Sequence, residues 1–285
     1  MVSVAFSIGG LDIVAQGVDA FPLMFEQPNY LPFRIYDMPS SPQLRWLLDA
    51  EVPAASGTPC FEMMLNDGRC QAFVGRDAYT LLLSSAVREL WVRYDLVTHT
   101  VSLSPTDYFP WLHFALWLAY NMQASAYGRF SLHCAAVVYH HTAVAFLGES
   151  GTGKSTHARL WGQSFCDVTL LNDDAPVFAA VEKGVHCYGS PWSGKTPCYR
   201  NEHYPLRGAV RLVQASSNKV IPLDNIRQVA ALVPSFPPML VCQTPFNTRM
   251  TKVISHLMRY ATVTMLQCLP DRDAATLCRQ ALFDD

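Results

Sequence analysis

Thr142-Ala-Val-Ala-Phe-Leu147, then Gly148-Glu-Ser-Gly-Thr-Gly-Lys-Ser155, then Thr156-His-Ala-Arg-Leu-Trp161 read in order as a buried strand, a glycine loop and the opening of a helix. Residues 148–155 fit G-x-x-x-x-G-K-[ST], with Gly148, Gly153, Lys154 and Ser155 at the fixed positions. Glycines let successive backbone N–H groups curl around a phosphate, and a helix N-terminus adds partial positive charge. Lys154 is then expected to reach the β- and γ-phosphates of a nucleotide, and the Ser155 hydroxyl to coordinate Mg²⁺. The nucleotide contacts expected are Gly148, Glu149, Ser150, Gly151, Thr152, Gly153, Lys154, Ser155 and Thr156.

A phosphate site also needs a metal carboxylate and, for transfer, a group that takes the acceptor's proton. Val168-Thr-Leu-Leu-Asn-Asp173-Asp174 ends a strand-like run in two adjacent carboxylates, nineteen residues after Lys154. One short helix is enough to return the chain to a strand beside the loop. Asp174 is expected at the metal and Asp173 as the base, with the reverse order as the alternative.

Of 285 residues, half are hydrophobic and 15% charged, which excludes a disordered chain. The net charge of −2 leaves no basic excess for a nucleic-acid backbone, so nucleic acid is not an expected partner. The nine cysteines (60, 70, 134, 166, 187, 198, 242, 268 and 278) form no C-x-x-C pair, so neither a disulfide framework nor a zinc site is signalled. Met1 to Ile8 has no positive n-region, and the apolar run Trp111 to Met122 is too short to span a bilayer. A cytoplasmic protein with no membrane partner is expected.

Upstream, Phe61–Leu65 with Cys70–Val74, and Glu89–Tyr94 with Thr100–Leu103, flank turn sequences and read as an antiparallel meander. The first sixty residues look strand-poor and proline-rich after Ala15, with Phe21, Phe25, Tyr30, Phe33, Tyr36 and Trp46 as core candidates. Residues 1–107 are therefore expected to form a β-rich module and 108–127 a linking helix. In residues 128–285, strand-like runs alternate with helix-like ones, which argues an α/β catalytic domain. His140-His141 reads as a turn between strands.

Gly148–Ser155 together with Asp173-Asp174 resembles the catalytic domain of HPr kinase/phosphorylase, and the Ser150-Gly-Thr-Gly-Lys154 core resembles ATP-type phosphoenolpyruvate carboxykinase. The resemblance covers roughly residues 128–285. It implies an α/β P-loop fold, ATP and Mg²⁺, and a catalytic role for His133, which stands where HPr kinases carry a histidine ahead of the loop; a core histidine is the alternative. The Glu-Ile-Arg-Gly-type signature of HPr kinases and the cation constellation of the carboxykinases are both missing. Tyr188-Gly-Ser-Pro-Trp-Ser-Gly-Lys-Thr-Pro-Cys-Tyr-Arg-Asn201 resembles a Pro-Trp-x-Gly segment of HPr-kinase-like proteins. Its Lys195 and Arg200 are candidate catalytic cations on a closing loop, a plain surface hairpin being the other reading. The activity expected is transfer of the γ-phosphoryl group of ATP to a hydroxyl of a protein, peptide or metabolite. A nucleotide-dependent switch, a degenerate binding module and a carboxykinase-like lyase are the rivals.

Overall fold

The computed structural model describes every residue except 1, 18, 20–22, 195, 242 and 285. The chain divides into two units, Met1–Tyr127 and Gly128–Asp285, each built on its own nine-stranded mixed sheet.

In the first unit the strands are β1 (Ser3–Ile8), β2 (Leu11–Gln16), β3 (Arg34–Ile35), β4 (Leu44–Leu47), β5 (Phe61–Leu65), β6 (Gly68–Val74), β7 (Ala78–Ser84), β8 (Glu89–Asp95) and β9 (Thr100–Leu103). They lie in the order β3-β1-β2-β4-β9-β8-β7-β6-β5. Gly9 and Gly10, both at positive φ (60° and 70°), turn β1 into β2, a two-residue hairpin connection that suits glycine pairs. Helix α1 (Phe109–Ala124) is apolar on nearly every side and packs on β4, β8 and β9, so it belongs to this sheet's core. The Gln123 amide accepts from the Trp46 indole N–H (2.9 Å) and donates to the carbonyls of Arg45 (3.1 Å) and His99 (2.6 Å). Phe25, Tyr30, Phe33 and Trp46 are buried as expected. Tyr36 is instead 83% exposed, under the Arg34 guanidinium. Phe21 lies outside the described residues.

The second unit contains β10 (Arg129–Ser131), β11 (Cys134–Tyr139), β12 (Thr142–Leu147), α2 (Lys154–Ser164), β13 (Thr169–Asn172), β14 (Val177–Val181), β15 (Gly184–Tyr188), β16 (His203–Gln214) and β17 (Lys219–Pro222). There follow α3 (Asn225–Leu232), α4 (Pro238–Val241), α5 (Phe246–Tyr260), β18 (Thr262–Cys268) and α6 (Arg272–Phe283). The sheet runs β10-β14-β15-β16-β12-β11-β13, and β18 joins β16 to β17. Helices α2 and α6 bury Trp161, Cys278 and Leu282 against Phe146, Val210 and Leu266 of the sheet. Asp224 and Asp271 cap α3 and α6 by accepting from the N–H groups of Arg227 and Ala274.

This architecture overturns the α/β P-loop domain expected for residues 128–285. The chain is mostly β, with eighteen strands and six α-helices among the described residues. In the second unit only the β12–β16 and β16–β18 pairings are parallel; the other six are antiparallel. An α/β layer needs parallel strands joined by helical crossovers. Here β11–β12 and β14–β15 are hairpins, and His140-His141 forms the first turn with both residues at positive φ. The strand–helix alternation was real in part, but it omitted the short hairpin strands that decide the pairing. Among the described residues no helix is long and apolar enough to cross a membrane.

Candidate functional site

The glycine loop sits where the sequence places it, between β12 and α2. A Cβ on Gly148 would stand 2.3 Å from the Thr152 hydroxyl, so only glycine fits there. Gly153 takes φ 100° as it hands the chain to α2, a left-handed conformation costly for other residues. Thr152 fastens the loop on itself, its hydroxyl donating to the Glu149 carbonyl at 2.8 Å. The Gln214 amide donates to the Gly151 carbonyl at 3.1 Å, tying the loop to the end of β16.

Lys154 folds back over this loop. Its ammonium donates to the carbonyls of Gly148 (2.9 Å) and Glu149 (3.1 Å) and lies 2.9 Å from His133 Nε2. Those three contacts use all three ammonium protons. Burial holds the Lys154 pKa below the ordinary lysine value, opposed by the negative groups around it. On its other nitrogen, His133 Nδ1 lies 2.9 Å from Asp174 Oδ1. A lysine donating to Nε2 leaves Nδ1 as the protonated nitrogen facing the carboxylate, so the network assigns the tautomer. Lys154, His133 and Asp174 thus form one hydrogen-bonded line. His133 lies in the bend just before β11, with its side chain half-exposed.

Asp173 stands beside this line and differs from every group in it. Only 6% of the residue is exposed, and neither carboxylate oxygen has a hydrogen-bond partner among the described residues. Its position is held by Asn172, fully buried at the end of β13. The Asn172 side-chain oxygen accepts from the backbone N–H groups of Asp174 (3.0 Å) and Ala175 (2.9 Å). Its amide faces the carbonyls of Ser190 (3.3 Å) and Trp192 (3.2 Å) and the Ser190 hydroxyl (3.2 Å). One buried amide therefore fastens the turn carrying both aspartates to the Pro191-Trp192 segment. A Cβ on Gly194 would meet the Asp173 carbonyl at 2.8 Å, so this segment lies directly on the aspartate turn.

Arg200 pairs with Glu202 at 3.6 Å, and among the described residues no hydrogen bond links it to the lysine–histidine–aspartate line. Lys195 lies outside the described residues. A cation the sequence reading missed is Arg211 on β16, which is nearly buried, pairs with Glu149 of the loop and donates to the Ala231 carbonyl (3.3 Å). The signal for it was one charged residue in the apolar run 209–213, beside the loop strand in the sheet.

Two hollows of about 450 and 440 Å³ flank the first turn of α2, and Thr156 lines both. The smaller is bounded by Gly151 and Gly153 of the loop, Leu160, Leu212 and Leu269, with His157 beneath. Burial pushes the His157 pKa down to about 4, so the ring is neutral at physiological pH, and its Nε2 is buried without a partner. The larger hollow holds Asp173. Among the described residues no group of three or more His, Cys, Asp or Glu could hold a metal unaided. The oxygens of Ser155, Asp173 and Asp174 are nonetheless the hard donors Mg²⁺ takes when phosphates supply the rest of its shell.

Compared with models of known protein families and with curated proteins, the chain matches none significantly.

Proposed function

We propose that this protein binds Mg²⁺-ATP at the 148–155 loop and transfers the γ-phosphoryl group to a hydroxyl of an acceptor. The observation that carries the reading is Asp173: a buried carboxylate without a partner among the described residues, set beside a phosphate-type loop whose lysine is already oriented by His133 and Asp174. Burying an unpaired carboxylate costs several kcal/mol, and a fold keeps such a group where a ligand satisfies it. An acceptor hydroxyl donates to Asp173, which takes its proton as the oxygen attacks phosphorus.

Lys154 exchanges its loop carbonyls for phosphate oxygens when nucleotide enters, and the loop N–H groups surround the phosphates. Ser155 and Asp174 would hold Mg²⁺, which would supply charge neutralisation at the phosphates. The hollow beside His157, which Leu160, Leu212 and Leu269 line together with loop residues and Gln214, receives the nucleoside. His133 keeps the Asp174 carboxylate and the Lys154 ammonium in register. The reading places the protein in the cytoplasm, in keeping with eight described cysteines that are all free thiols.

The test is transfer of label from γ-labelled ATP by the full chain, beside Lys154→Ala and Asp173→Asn. Lys154→Ala should lose about 100-fold or more of turnover. Asp173→Asn should keep nucleotide binding and lose about 100- to 10,000-fold of transfer. Parent-like turnover by Lys154→Ala would overturn the reading. Phosphate release that ignores every acceptor would leave a nucleotide switch in its place.

A further inference from the structure

Resting on that reading, the larger hollow beside α2 has the build of an acceptor site. Ser155, Arg159 and Gln163 are spaced four apart along α2, so they share one face and rise about 6 Å per step. That face forms one wall. Asp173 belongs to the lining of the same hollow, with both carboxylate oxygens buried and, among the described residues, unpartnered. Ala158 and Leu170 give an apolar lining, and Gly162, which carries no side chain, leaves room. The Arg159 guanidinium is exposed and makes no ion pair or hydrogen bond with any described residue, nor does the Gln163 amide.

We propose that this hollow binds a small hydroxylated carboxylate, with its hydroxyl at Asp173 and its carboxylate at Arg159, both of which line it. The volume suits a small molecule. A side chain of a folded protein surface fits poorly: a seryl hydroxyl stands one carbon from its backbone and cannot reach a recessed carboxylate without the backbone following it in. In the step, the acceptor oxygen forms a bond to the γ-phosphorus and the bond from that phosphorus to the β-bridging oxygen breaks. ADP leaves with the electron pair, and the acceptor's proton passes to Asp173.

The experiment follows ADP release by the full chain with Mg²⁺-ATP, adding glycerate, serine or malate, with glycerol as the uncharged control and a seryl peptide as the macromolecular one. Nucleotide binding is measured separately by calorimetry. The expected result is stimulation of at least tenfold by one of the acids and not by glycerol. Arg159→Gln should then raise KM for that acid at least tenfold while leaving kcat and ATP binding within twofold. ATP binding without stimulation by any of the three acids, stimulation by the peptide alone, or an Arg159→Gln variant with unchanged KM would overturn the acceptor proposal and leave the phosphotransfer reading standing. Absence of ATP binding by the parent would overturn both.

Discussion

The two sheets have the same number of strands but treat buried polar atoms differently. In the first unit the deep polar groups close on one another: the Gln123 amide alone satisfies the Trp46 indole and two backbone carbonyls. Among the described residues, every buried side-chain polar atom without a partner belongs to the second unit: those of His157, Trp161, Ser164, Asp173 and Ser235. Three of these residues sit on α2, the helix that opens at the glycine loop, and a fourth is the aspartate facing it. An unsatisfied buried group costs about 1–3 kcal/mol. The first unit is thus built as a closed scaffold, whereas in the second two of the unpartnered residues, His157 and Asp173, line the hollows beside the glycine loop.

Asp173→Asn is the sharpest way to break this contrast. Replacing a buried unpaired charge by a neutral amide should raise the second unit's stability by about 1–3 kcal/mol while transfer falls by orders of magnitude. Denaturant midpoints measured alongside label transfer give both numbers. A loss of stability would mean that Asp173 has a structural partner, and the contrast would fail. The mirror experiment is Gln123→Ala in the first unit, which strands three polar groups at once. It should cost about 3 kcal/mol, with nucleotide affinity of the folded protein unchanged, as titration of the purified variant would establish.

His157 supplies a pH arm of similar size. Its native pKa of about 4 lies below the usual 6.5, so between those values the unfolded chain binds a proton that the folded chain refuses. Stability is therefore full above about pH 6.5 and is lost as pH falls toward 4. The window of roughly 2.5 units corresponds to about 3 kcal/mol, an order-of-magnitude figure. Unfolding curves between pH 7.5 and 4 should show this slope in the parent and lack it in His157→Gln. An equal slope in both would assign the acid sensitivity elsewhere.

What could be read in advance follows the same division. The strand at 142–147, the loop geometry and the aspartate turn were legible because local chemistry dictates them: a glycine pattern, a lysine, two carboxylates at a strand end. The His140-His141 turn was legible for the same reason. The sheet pairing was not, because it depends on which strands find each other across the chain. The hairpin of β14 and β15, at 177–188, carries only a Lys183-Gly184 turn signal, and Pro205 and Gly208 interrupt the pattern of the twelve-residue β16. The Gly9-Gly10 turn was a usable hairpin signal that went unread. Asn172 and Arg211 were missed because their importance lies in their partners, the 190–192 segment and Glu149, which no spacing along the chain reveals.

Ser164 gives the smallest test and the most specific one. It ends α2, ten residues beyond Lys154, and its hydroxyl is buried without a partner among the described residues. If the orphaned atoms of α2 all serve a ligand, Ser164→Ala should weaken nucleotide or acceptor binding. If only those at the two hollows do, the substitution removes an unsatisfied hydroxyl and improves helix propensity, and should stabilise by about 1 kcal/mol with binding unchanged. The second outcome is expected, because Ser164 lines neither hollow whereas His157 lines one and Asp173 the other. Matched denaturation and calorimetry on the parent and Ser164→Ala decide it, separating polar atoms held for a ligand from one that the packing at a helix end has left stranded.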